Sequence, residues 1–323
     1  MSDFWQDKHV FITGCSGLMG SWLTAELAAQ GARVVGLIRN HTNETQLNRS
    51  GIINQIDVVQ GNVCDYELME RTLADYEIDT VFHLAAQTQV GTANRVPMPT
   101  FETNIKGTWV MLEAARRNPS IQRIVVASSD KAYGTHTSLP YREDTPLQGQ
   151  HPYDVSKSCA DLIARTYAHT YGLPVTVTRC ANLYGGGDLN WNRIVPGTIR
   201  SVLRGEQPII RSDGTMRRDY IFIKDVVSGC LQVAEAMHRP EVQGRAFNLG
   251  IDNPVSVLEM VQTIIRLAGN TAVQPIILDE VQHEIQNQYL CSEKARQVLG
   301  WQPVYSLETG LTETITWYRQ FLQ

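Results

Sequence analysis

Short apolar runs recur through the first half of the chain, at residues 9–12, 33–37, 56–59, 80–84, 124–127 and 175–178. Between them lie stretches whose apolar positions repeat every three or four residues, at 21–29, 66–75, 101–117 and 153–171. Runs of the first kind predict buried strands and those of the second amphipathic helices, so the rhythm is βαβ. It implies an α/β chain with a doubly wound parallel sheet and a ligand crevice at the carboxyl ends of the strands. After Arg179 the rhythm breaks at Gly185-Gly186-Gly187-Asp188, and helices are predicted at 196–204, 224–237, 257–267 and 307–321. Residues 246–249 read as a strand that returns to the large sheet, so the boundary between lobes is interleaved. The expected division is 1–179 with about 219–250 for the nucleotide-binding domain, and 180–218 with 251–323 for a smaller mixed α/β substrate-binding lobe.

Length and charge narrow the function classes. A chain of 323 residues can bury a large core, and a net charge of −5 offers no broad basic surface for nucleic acid or an anionic membrane. The six cysteines (Cys15, Cys64, Cys159, Cys180, Cys230, Cys291) form no Cys-x-x-Cys pair and no ligand cluster with histidine. They predict no metal site and read as buried thiols in a reducing compartment, with Cys15 beside the cofactor. No apolar signal core opens the chain and no run is long enough to span a membrane, so the expected compartment is the cytoplasm.

Thr13-Gly14-Cys15-Ser16-Gly17-Leu18-Met19-Gly20 sits between the first predicted strand and the first predicted helix. That is the context a dinucleotide loop needs. Gly14 permits a backbone conformation barred to other residues, Gly17 lets the main chain approach a pyrophosphate, and Gly20 allows close contact of helix and strand. The helix terminus presents unpaired N–H groups to the phosphates. Downstream, Tyr153 and Lys157 are four residues apart on a predicted helix and so share a face. A lysine cation beside a phenol favours the phenolate, which draws the tyrosine from about 10 toward general-base use.

The motifs Thr13-Gly-x-x-Gly-x-x-Gly20, His83-Leu-Ala-Ala-Gln87, Asn104-Ile-Lys-Gly107, Ser128-Ser-Asp-Lys-Ala-Tyr-Gly134, Tyr153-x-x-x-Lys157, Arg179-Cys-Ala-Asn182 and Arg218-Asp219-Tyr220 occur in this order. Together they resemble the extended short-chain dehydrogenase/reductases, in the nucleotide-sugar epimerase and dehydratase group, over nearly the whole chain. Gly20-Ser-Trp-Leu23, Ser129-Asp-Lys131 and Gly185-Gly-Gly-Asp188 resemble the CDP-glucose 4,6-dehydratases in particular. The resemblance implies a Rossmann-type fold, a role in carbohydrate biosynthesis and a tightly held NAD or NADP that is recycled within each turnover. It implies cofactor contacts from Gly14, Ser16, Gly17, Leu18, Met19, Gly20, Arg39, Asn62, Val63, Leu84, Ala85, Ala86, Asn104, Tyr153 and Lys157.

In the chemistry so implied, Tyr153 takes the proton of the sugar 4-hydroxyl as hydride leaves C4, and Ser129 shares the hydrogen bond to that oxygen. Lys157 lowers the Tyr153 pKa and holds the nicotinamide ribose. The resulting ketone acidifies C5–H, and Asp130 acts as the acid for loss of the C6 hydroxyl. Lys131 stands where related dehydratases carry a glutamate base, and serves either as that base or as a charged stabiliser of an enolate. Both residues can face the sugar only if the chain turns there, since neighbours in a strand point opposite ways. A polar loop with Asp130 as a local cap is the plain alternative.

For the substrate, Arg218 is the first candidate to grip the pyrophosphate, with Asn182 as an amide donor and Arg211 and Arg193 behind it. Gln87 faces the sugar, and Pro196 and Ile209 are candidates to wall the nucleobase. Asn104 is expected to organise a water or backbone group beside the catalytic helix. Arg39 follows the second strand where an acidic residue normally binds the adenosine 2′-hydroxyl; it can pair with a 2′-phosphate or stay in solvent. Helices 101–117 and 153–171 resemble the pair that forms a dimer bundle, so a homodimer is expected. The leading reading is a nucleotide-sugar 4,6-dehydratase, with a 4-epimerase of UDP-sugar type as its rival and a catalytically silent dinucleotide-binding regulator as a rival of another class.

Overall fold

Seven parallel strands form the sheet around which the protein is built, in the order Ala246–Leu249, β6 (Val175–Cys180), β5 (Arg123–Ser129), β4 (Thr80–His83), β1 (His9–Thr13), β2 (Arg33–Ile38) and β3 (Asp57–Gln60). The computed structural model describes residues 3–40, 44–280 and 285–323; Met1 and Ser2 of the amino-terminal segment lie outside it. From β1 the chain steps outward to β2 and β3, then crosses to β4 and runs the other way. The strand order therefore reverses between β1 and β4, the point at which a doubly wound sheet places its ligand crevice, at the carboxyl ends.

Both faces of the sheet are covered, which explains why its strands read as apolar runs rather than alternating ones. Val10, Ile12, Phe82 and Val125 pack on one face with Leu23 and Leu27 of helix Leu18–Ala29 and Val226, Cys230 and Val233 of helix Ile223–Glu235. Phe11, Val35, Val81, Ile124 and Val177 pack on the other with Met69 and Leu73 of helix Tyr66–Asp75, Met111 of helix Gly107–Arg117 and Ala164 of helix Pro152–Tyr171. The first of these clusters continues without a break into the second half of the chain. It takes in Ile199 of helix Ile194–Leu203, Ile264 of helix Val257–Ala268 and Ile315 of helix Leu307–Phe321.

The predicted return of residues 246–249 to the large sheet is observed, with Ala246 to Leu249 in register with Val177 to Cys180. The predicted helix 101–117 is instead three segments in one run: Met98–Phe101, a π-helical turn Glu102–Lys106, and Gly107–Arg117. Such a turn re-aims side chains within a helix. Small ladders build the second half, among them Arg217–Arg218, which pairs with Val255–Ser256 on one side and Asn287–Gln288 on the other. The short parallel pair Ile209–Ile210 and Ile276–Ile277 is another.

Candidate active site

The glycine loop follows β1 directly. Gly14 has φ +76°, and a Cβ there would stand 2.8 Å from Ala85 N, so both backbone conformation and the adjoining strand end require glycine. At Gly20 a Cβ would come within 2.1 Å of the Gly14 carbonyl, so the close approach it permits is to the loop itself. Gly17 is exposed and caps helix Leu18–Ala29 without a side-chain hydrogen bond. Ser16 and Leu18 are half-buried and Met19 is buried. First-turn N–H groups left without a side-chain cap beside a glycine cradle fit the pyrophosphate of a dinucleotide. Leu84 N and Ala85 N donate to Thr13 Oγ1, both at 3.2 Å, which fixes the half-buried strand end Leu84, Ala85 and Ala86 against the loop.

His83 makes that junction rigid. Its ring nitrogens lie 3.0 Å from Thr13 Oγ1 and 3.1 Å from Thr108 Oγ1, and burial, helped by the Lys157 charge, draws its pKa down to about 3. Cys15 is not beside the crevice. It is fully buried, bonds its Sγ to the Leu37 carbonyl at 3.5 Å and packs on Gly36, where a Cβ would meet that sulfur at 2.7 Å. Burial pushes its thiol up to about 12, so it is a core thiol between β1 and β2. Cys64 and Cys159 are only half-buried, unlike the other four cysteines. Arg39 is exposed just past β2, Asn62 is exposed with its Oδ1 accepting from Cys64 N at 3.0 Å, and Val63 is buried under Gly107.

Asn104 lies in the π-helical turn and is 2% exposed. Its Oδ1 accepts from Gln87 N at 2.7 Å, and its Nδ2 donates to the Gln87 carbonyl at 3.1 Å and to Ser156 Oγ at 2.9 Å. Its amide is therefore spent on the chain, and it ties the loop after β4 to helix Pro152–Tyr171 through Ser156. Gln87 in turn folds its own side chain over Gln89.

Tyr153 and Lys157 occupy the first two turns of helix Pro152–Tyr171, against the end of β5. Lys157 Nζ donates to the Ala127 carbonyl at 2.7 Å. Ser129 hydrogen-bonds the Tyr153 oxygen and donates to Asp130 Oδ1 at 3.0 Å. Here the chain does turn: Asp130–Tyr133 is a 3-10 helix, with Ser129 Oγ accepting from Lys131 N at 3.3 Å. Asp130 and Lys131 thereby leave the strand and can address one space. Asp130 is 2% exposed, and its Oδ2 has no hydrogen-bond partner.

Burial corrects the expectation for the Tyr–Lys pair. It pushes the Tyr153 phenol up to about 12 and draws the Lys157 ammonium down to about 8. With a pKa of about 8, Lys157 is still mostly an ammonium at neutral pH, but burial outweighs the neighbouring cations and sets the direction at the phenol. Arg193 is the cation that opposes the rise, while the carboxylates of Asp130 and Asp154 add to it and the Ser129 bond lowers it.

Arg193 is held by Asp188 Oδ2 at 2.9 Å and by Thr88 Oγ1 at 3.1 Å, so it bridges the polyglycine loop and the loop after β4. Asn182 Nδ2 donates to the Asp219 carbonyl at 3.2 Å, and Arg218 Nη1 donates to the Arg217 and Gln286 carbonyls. Pro196 is buried within helix Ile194–Leu203. Ile209 and Arg211 are exposed at the ladder with Ile276–Ile277. The reading of the sequence missed Gln288, a fully buried side chain that accepts from Lys131 Nζ at 2.5 Å and donates to the Asp130 carbonyl at 3.2 Å. It also missed Asp219 as a buried acid, and the Asp188 and Thr88 partners of Arg193. Asp188 and Asp219 do lie within sequence motifs, which gave them no role of their own, whereas Gln288 and Thr88 carry no local motif because their contacts are made across the fold.

Among the described residues, no helix is long and apolar enough to cross a membrane. A family described as GDP-mannose 4,6 dehydratase matches residues 11–314. The CDP-glucose 4,6-dehydratase of Salmonella typhimurium is 30% identical over 340 residues, covering 99% of this chain and 93% of its own. Among solved structures, the dTDP-glucose 4,6-dehydratase of Bacillus anthracis in complex with NAD superposes with a TM-score of 0.84 at 27% identity, covering 97% of each chain. The UDP-glucose 4-epimerase of Thermotoga maritima, with UDP-glucose, gives 0.86 at 27% identity over 97% of this chain and 99% of its own.

Proposed function

Because the chain belongs to the GDP-mannose 4,6 dehydratase family, we propose that it is a nucleotide-sugar 4,6-dehydratase that converts CDP-glucose to CDP-4-keto-6-deoxyglucose. The observation that carries this reading is the turn at Asp130–Tyr133, which puts a buried carboxyl with an open oxygen and a lysine next to the Ser129–Tyr153 pair. The similarity to the Salmonella enzyme along almost the whole chain supports the choice of nucleotide sugar.

Tyr153 accepts the proton of the sugar 4-hydroxyl, and Ser129 orients that oxygen. When bound at the glycine loop, a nicotinamide dinucleotide would supply a reversible hydride acceptor, taking the C4 hydride and giving it back at C6 after water loss. Gly14, Ser16, Gly17, Leu18, Met19 and Gly20 would hold its pyrophosphate, with Lys157 at the ribose and Asn62, Val63 and the strand end 84–86 along its length. Once C4 is a ketone, Lys131 faces the C5 proton and Asp130 protonates the departing C6 oxygen. Arg218 is assigned to the nucleotide pyrophosphate with Asn182, Arg193 and Arg211 around it, Gln87 to the sugar, and Pro196 and Ile209 to the base. The division into 1–179 with about 219–250, and 180–218 with 251–323, is part of the same reading.

A 4-epimerase is the second reading, favoured by the likeness to the Thermotoga enzyme, and it needs the oxidation but no acid at Asp130. Incubation with a panel of CDP-, dTDP-, UDP- and GDP-sugars, followed by mass spectrometry, separates the two. Loss of the mass of water from CDP-glucose is the expected result. Unchanged mass with a new NMR spectrum would establish epimerisation instead, and no turnover of any sugar would leave a silent binder. We also infer a homodimer through helices 98–117 and 152–171, which leave Met98, Trp109, Leu162 and Tyr171 between 44% and 70% exposed. A cytoplasmic location is consistent with six free cysteines.

A further inference from the structure

The geometry points to Gln288 as a neutral clamp that holds the Lys131 amine in place for proton exchange at C5 without adding a charge of its own. This rests on the dehydratase reading above. Gln288 is 157 residues from Lys131 in sequence and reaches it because strand Asn287–Gln288 pairs with Arg217–Arg218. Its backbone is anchored as well, since the Gln288 carbonyl accepts from Asp219 N at 3.3 Å. The side chain is fully buried, and both of its ends are used.

The direction of the amide follows from its chemistry. Only the NH2 end can donate to the Asp130 carbonyl, so Nε2 is committed there and Oε1 must face Lys131 Nζ. An amide oxygen accepts a hydrogen bond from an ammonium or from a neutral amine alike. A carboxylate at this position would instead favour the ammonium. Two carboxyl groups already stand near it, because Asp130 adjoins Lys131 and the Lys131 charge acts on the buried Asp154 carboxyl. A third acid would bind the proton that Lys131 has to exchange. Glutamine supplies the same reach and the same acceptor without charge, and it removes freedom from a four-carbon side chain that otherwise samples many rotamers.

Gln288 is therefore a positioning residue, and its removal should divide the two halves of the reaction. In single turnovers of the holoenzyme with CDP-glucose, three quantities are followed: nicotinamide reduction for C4 oxidation, deuterium uptake at C5 from heavy water, and water loss by mass spectrometry. Gln288→Leu, which lets Lys131 go, and Gln288→Glu, which holds it by charge, should each lower C5 exchange and water loss by about tenfold or more. C4 oxidation should stay within about threefold of wild type in both. Gln288→Glu is nearly isosteric and carries the test if the leucine variant does not fold. Wild-type exchange and elimination in the glutamate variant, or an equal fall in oxidation and elimination, would overturn the clamp. Absence of water loss in the wild-type control would instead sink the dehydratase reading, so the two failures are told apart in one experiment.

Discussion

Replacing Asp219 with asparagine should flatten the dependence of stability on pH. Asp219 is fully buried; its Oδ1 accepts from Ile251 N at 3.1 Å, whereas Oδ2 has no hydrogen-bond partner. That oxygen lies against Gly250, where a Cβ would come within 2.3 Å. Burial, with the Asp252 and Asp130 charges adding to it, pushes the carboxyl up to about 7 from an ordinary 3.8. The unfolded chain gives up this proton near 4 and the folded chain keeps it until about 7. Between those values the native state binds more protons, so stability falls as pH rises through the interval and levels off above it. Below about 4 the group has no effect. Roughly three units at 1.36 kcal/mol each amount to about 4 kcal/mol, of which about 3 fall between pH 5 and pH 8. An asparagine side chain in this place would keep the acceptor for Ile251 and cannot ionise. Urea unfolding of both proteins at pH 5 and pH 8 reads the difference directly: the Asp219→Asn protein should gain about 3 kcal/mol on wild type over that range. Parallel pH profiles for the two proteins would refute the reasoning.

Tyr153→Phe keeps the ring and removes the proton acceptor, so turnover should fall about 10²-fold or more while dinucleotide binding, followed by calorimetry, is retained; near-normal turnover would remove Tyr153 from the chemistry. Asp130→Asn should leave C4 oxidation intact and stall elimination, so that reduced nicotinamide and a 4-keto sugar accumulate in a rapid-quench single turnover. Equal slowing of both steps, with a stability loss of about 1 kcal/mol, would make Asp130 a local cap. Arg39→Ala should weaken NADP much more than NAD in fluorescence titrations, and equal losses would show that Arg39 does not read the 2′-phosphate.

Local signals carried the sheet, the glycine loop and the turn of helix that aligns Tyr153 with Lys157, because each depends on neighbours in sequence. Helices 66–75 and 307–321 were legible to the residue, since their apolar stripes begin and end with the elements. What burial decides was not legible. The Tyr153 and Lys157 spacing suggested a depressed phenol, yet removal from water moves the two groups the opposite way from a surface pair. Cys15 sits in a loop motif, but its side chain turns inward to Gly36. Gln288 carries no pattern at all, because its neighbours Asp130 and Lys131 are supplied by strand register across the fold. The π-helical turn around Asn104 keeps an ordinary helical stripe on either side, so periodicity passes over it.

The strand Ala246–Leu249 covers the outer edge of β6 with a segment that returns from well beyond residue 180 in the chain. A fragment ending near residue 180 would expose the backbone of β6 as a bare, apolar edge, which invites pairing with other chains. The two halves are thus not a detachable module and its accessory. Truncation between residues 180 and 246 strips β6 of its cover, so the intervening segment has to keep its attachment to the sheet at both ends.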